Sequence, residues 1–189
     1  MQSSLATRDD VIAIGRQMRE RLPILAAKYQ QTNSGRTEYT KAIWEYFEQL
    51  RKNYSWTMSP ATPPIRGRVK GEYLTDFALY DGTLGNRLAC ESEWGDIGCI
   101  EWAFDKLRAV KADIKVFIFQ WSHGKDGKLP VPIEKIFKSS LANSGHHHPG
   151  HEIYLFMQFD GDAARLFLWE PTGCGPFSDH EEISIELIN

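Results

Sequence analysis

Two glutamates stand one residue apart in LACESEWG (88–95), at Glu91 and Glu93, inside an otherwise apolar stretch. Side chains two apart on a strand point to the same face. A third acid, Asp76 in TDFALYD (75–81), lies across the turn signal DGTLGN (81–86). If that turn closes a symmetric hairpin, Tyr80 faces Arg87, Ala78 faces Ala89 and Asp76 faces Glu91. Opposed residues have Cβ atoms roughly 5 Å apart, so Asp76, Glu91 and Glu93 are expected to share one patch. Like charges opposed in a sheet repel, and they need protons, cationic partners or a metal to offset them. A hard divalent cation meets that need. Mg²⁺ takes oxygen ligands and is commonly held by one or two carboxylates plus substrate phosphate, and Mn²⁺ favours similar donors. The register decides the matter, because a one-residue slip sends Asp76 to the other face. The alternative is a sheet face whose carboxylates meet Lys and Arg from neighbouring elements.

The elements that must position these residues read plainly. Val11, Ile14, Met18, Leu22, Leu25 and Ala26 recur at helical spacing over 8–30, with Pro23 expected to kink or split that helix. A second helix is predicted over 36–53, with Tyr39, Ile43, Tyr46, Phe47 and Leu50 on one face. SPATPPIRG (59–67) reads as a connector, and EYLTDFALY (72–80) and RLACESEW (87–94) as paired strands. Ile97, Ile100, Ala103, Phe104, Leu107 and Val110 form a helical stripe over 95–111. IKVFIFQW (114–121) is apolar nearly throughout, the pattern of a strand buried on both faces. A short helix is expected near 133–141, a hairpin from IYLFMQF (153–159) and ARLFLWE (164–170), and a half-exposed strand at 182–188. The expectation is one α/β domain of the α+β kind, with a mixed central sheet, flanking helices and an additional C-terminal antiparallel hairpin.

The arrangement TDFALYD, LACESEWG and FDKLRAVKADIKVFIF resembles the PD-(D/E)XK nuclease superfamily, the restriction-endonuclease-like proteins. The resemblance implies a core of a helix, a three-strand meander, a helix and a further strand, which residues 36–121 supply. Residues 1–35 then form a helical extension and 122–189 additional strands. By the same resemblance Asp76 and Glu91 bind Mg²⁺, Mn²⁺ being able to replace it. The family usually has Lys where this chain has Glu93, which becomes a further ligand or helps deprotonate the water. A lysine moved to the following helix is the family's other arrangement, and Lys106 is its candidate, with Lys115 a second. An additional helix-borne Glu corresponds to Glu38 or Glu45. The implied activity is phosphodiester hydrolysis by a metal-dependent endonuclease, on DNA rather than RNA, with a homodimer or protein partner to cut both strands. A non-catalytic domain that keeps the fold for nucleic-acid or protein binding is the alternative.

Charge is unevenly spread: residues 1–70 hold 12 Lys and Arg against 6 Asp and Glu, and residues 71–189 hold 10 against 19. A cationic part beside an anionic part suits a polyanion-binding protein that gathers carboxylates elsewhere. Arg66, Arg68 and Lys70 precede the first catalytic strand and could track a nucleic-acid backbone. Three scattered cysteines without a CxxC pair argue against a disulfide framework and against a thiolate zinc site. With no signal peptide and no apolar run of about 20 residues, a cytoplasmic protein without a membrane partner is expected. HHHPGH (146–151) reads as a loop with incidental metal affinity.

Overall fold

A computed structural model describes residues 13–14, 17–18, 20–21, 36–60, 75–82, 85–120, 153–160, 163–169 and 181–183. Helix α1 spans Arg36–Tyr54. Strands β1 (Thr57–Ser59), β2 (Phe77–Asp81) and β3 (Gly85–Glu93) follow, then helix α2 (Ile97–Ala109) and strand β4 (Ile114–Gln120). Strands β5 (Ile153–Asp160), β6 (Ala163–Trp169) and β7 (Glu181–Ile183) complete the described elements. The seven strands form one mixed sheet in sequence order. β1, β2 and β3 are an antiparallel meander, β4 runs parallel to both β3 and β5, and β5, β6 and β7 are again antiparallel. The protein is therefore α+β, with helices flanking a mixed sheet.

Each face of the sheet carries its own apolar cluster. On one side Ala42, Ile43, Tyr46, Phe47 and Leu50 of α1 pack with Phe77, Leu79, Leu88, Cys90, Ile114, Val116 and Ile118. Ile14 and Met18 join them, and the Tyr46 hydroxyl donates to the Ile14 carbonyl at 2.9 Å. On the other side Ile100, Ala103, Phe104 and Leu107 of α2 pack with Ala89, Phe117, Phe119 and Tyr154. Full burial of such a side chain is worth roughly 1.5–3 kcal/mol, so these helical stripes fix both helices to the sheet. β4 is buried on both faces, as its uninterrupted apolar run requires.

Three local features differ from expectation. The connector at 59–67 conceals the meander's first strand, since β1 begins at Thr57 and has only three residues, too few for a period-2 pattern. Ile97 lies in the first turn of α2 and is exposed instead of packed. The β2–β3 register shifts between Leu79 and Tyr80, so Tyr80 pairs with Asn86 and not with Arg87. A bulge there absorbs one residue near the turn and leaves the pairing beyond it unchanged.

The helix at 8–30 is seen only at Ala13, Ile14, Gln17, Met18, Glu20 and Arg21, which are helical. Pro23, the short helix near 133–141, the HHHPGH loop, Arg66, Arg68 and Lys70 lie outside the described residues, as does the strand expected at 182–188 beyond Ile183.

Candidate active site

Two of the three expected acids, Asp76 and Glu91, lie close enough to Cys90 to act on its thiol. Phe77 pairs with Cys90 and Ala78 with Ala89, and Asp76 stands one residue before the last pair of that ladder. Phe77 and Cys90 point into the α1 cluster, and alternation along β3 turns Glu91 toward α2. Cys90 senses both acids. Burial first, then the charges of Asp76 and Glu91, pushes its thiol well above the ordinary cysteine value.

Asp76 is held firmly. Its Oδ2 accepts from the Ser92 backbone N–H at 2.8 Å and from the Ser92 hydroxyl at 2.7 Å. Ser92 therefore bridges the last turn before β2 to the far end of β3, a role the sequence reading did not assign. The hydroxyl between the two glutamates was the available signal.

Glu91 is only 2% exposed. A carboxylate so placed is costly unless it is paired. The Lys106 ammonium supplies the charge, with its Nζ 2.9 Å from Glu91 Oε2. The α2 helix carries Lys106 on the edge of its buried stripe, so the long stem reaches down to the strand while the side chain stays partly solvated. The same Nζ lies 4.6 Å from the ring centroid of Trp102, one turn earlier on the helix. This is a cation–π contact.

Glu93 does something else. Its Oε1 accepts from the backbone N–H of Trp94 at 2.8 Å and of Gly95 at 2.6 Å, shaping the turn from β3 into α2. Gly95 is required there, because a Cβ would sit 2.8 Å from Cys99 Cβ and 2.9 Å from Glu93 Oε1. Asp96 then caps α2, its side chain accepting from the Cys99 backbone N–H at 3.0 Å. Those bonds hold the Asp96 carboxyl below its ordinary value.

Lys115 is fully buried and turned to the other end of α2. Its Nζ donates to the Arg108 carbonyl at 3.0 Å and to the Tyr154 hydroxyl at 3.2 Å. Through the Arg108 carbonyl it offsets the negative end of that helix. Glu45 is half-buried on α1, the helix on the opposite face of the sheet from α2. Glu38 also lies on α1, and its side chain is outside the described part.

Among the described residues, no group of three or more His, Cys, Asp or Glu side chains is gathered to hold a metal ion. The carboxylates of Asp76 and Glu91 remain, and hard anionic oxygens are the donors that Mg²⁺ selects. No helix among the described residues is long and apolar enough to cross a membrane. No protein-family model, curated protein or solved structure matches the chain significantly.

Proposed function

We propose that the chain is a Mg²⁺-dependent nuclease of the restriction-endonuclease-like kind, cutting phosphodiester bonds in DNA in preference to RNA. The observation that carries this reading is the Lys106–Glu91 contact at 2.9 Å, made from the helix after β3 to an acid that is 2% exposed. A solvated ion pair needs no such burial. Further support comes from the order helix, three-strand meander, helix and parallel strand over Arg36–Gln120.

Asp76 and Glu91 are the residues to hold Mg²⁺, which when bound polarises the phosphate and lowers the pKa of a coordinated water. Mn²⁺ favours the same oxygen donors. Ser92 fixes Asp76 through Oδ2, which orients the carboxylate before any ligand arrives. Lys106 offers the cation that steadies a nucleophilic water or a phosphate oxygen, and Trp102 supports its stem. Glu93 contributes by building the turn that launches α2 at the angle that delivers Lys106.

A second reading is a domain that keeps this fold for nucleic-acid or protein binding without cleavage. The observation favouring it is the commitment of Glu93 to the turn, which leaves two acids where three were expected. One experiment separates the two. Plasmid and oligonucleotide cleavage is measured with Mg²⁺ or Mn²⁺ for wild type and Asp76→Ala. The nuclease reading expects metal-dependent cleavage that Asp76→Ala abolishes. Cleavage that survives the substitution refutes the site, and DNA binding without cleavage selects the second reading.

A further inference from the structure

Trp102 is the most exposed large apolar side chain among the described residues, with 64% of its surface open. Tryptophan is highly buried on average, and this exposed indole stands beside the Lys106–Glu91 pair. It sits at i−4 from Lys106, and that ammonium lies over its ring at 4.6 Å while also touching Glu91 Oε2. The exposed ring thus borders the Asp76–Glu91 pair through a single shared lysine.

Its neighbours restrict what can lie on it. Glu101 and Asp105 flank Trp102 on α2 and are both exposed, with Asp105 paired to Arg108 at 3.1 Å. A rigid duplex laid along this helix would bring phosphates of both strands against these acids. An unpaired base presents an uncharged π-face, which the acids do not repel. Base–aromatic stacking is also indifferent to sequence, because every base has such a face.

We propose that Trp102 is a stacking platform for an unpaired nucleobase next to the scissile phosphate, so that the substrate is a single-stranded or frayed DNA segment and not an intact duplex. This rests on the nuclease reading of Asp76, Glu91 and Lys106. Lys106 takes the phosphate side of the nucleotide and Trp102 the base side.

The test is fluorescence anisotropy without added metal, using labelled single-stranded and blunt duplex oligonucleotides of one sequence, with wild type, Trp102→Ala and Trp102→Phe. Circular dichroism checks that the variants are folded. Trp102→Ala is expected to weaken single-strand binding about tenfold, the scale of one lost base stack, with duplex binding within about twofold of wild type. Trp102→Phe keeps an aromatic face and should recover most of the single-strand affinity. Equal weakening for both substrates, or none, overturns the platform while metal-dependent cleavage lost in Asp76→Ala leaves the nuclease reading intact. Failure of wild type to bind the single strand also overturns the platform, while the cleavage comparison with Asp76→Ala judges the nuclease reading separately. Loss of affinity that Trp102→Phe does not restore also counts against stacking.

Discussion

At the scale of single residues, Lys106 joins two effects that measurement can separate. Lys106→Met takes a cation from beside a carboxylate that is 2% exposed, and breaking a buried pair from one side costs about 3 kcal/mol. Urea unfolding checks that loss. If Lys106 also acts on substrate, cleavage by the folded variant falls about a hundredfold or more, the usual scale for removing one such charge from a reaction centre. A stability loss with cleavage unchanged identifies the pair as purely structural. The expected pairing of Ala78 with Ala89 is found, although the turn closes one residue differently, with Tyr80 on Asn86. The sequence could not show that Ser92 holds Asp76 or that Glu93 turns back onto Trp94 and Gly95. Both depend on where a backbone N–H is left without a strand partner, which only the fold defines.

At the scale of elements, the β3–α2 junction is the part on which the site depends most. Gly95→Ala forces a Cβ against Cys99 and the Glu93 carboxylate, so it is expected to cost about 1–3 kcal/mol and to tilt α2 away from Glu91. Thermal unfolding reads the first effect, and a fall in metal-dependent cleavage reads the second. A Gly95→Ala variant with wild-type stability would contradict the tight turn. The cap at Asp96 adds a pH dependence of known sign. Its folded value is lowered by the Cys99 N–H, so its contribution is complete above the ordinary aspartate value of about 3.9 and is lost as pH falls through the lowered value. The stability difference between wild type and Asp96→Ala is therefore expected to be larger at pH 7 than at pH 2.5, by urea titration at both. Element types were legible because α1, α2 and β4 each have long, clean patterns. β1 was not, because three residues beside a proline-rich stretch carry too little pattern to outweigh the turn signal.

At the scale of the whole molecule, the sheet divides the labour. The α1 face is an apolar support holding Phe77 and Cys90, and the α2 face carries the Glu91–Lys106 pair. The sequence foretold this division only in part. The apolar stripes announced both helices, but the face each would cover depends on how the chain crosses from β3 to β4. β4, the strand at the middle of the sheet, also sets how the protein must assemble. Leu88 pairs with Ile114, and Ile114 with Ile153, so neither edge of β4 can be closed by a local turn. Both pairings pay for loop closure before any burial rewards them, which places the chain among slow folders. Until they form, the β2–β3 hairpin exposes an unpaired apolar edge, and Glu91 lacks the lysine that a docked α2 provides. Its bare charge then opposes edge-to-edge association of half-made chains.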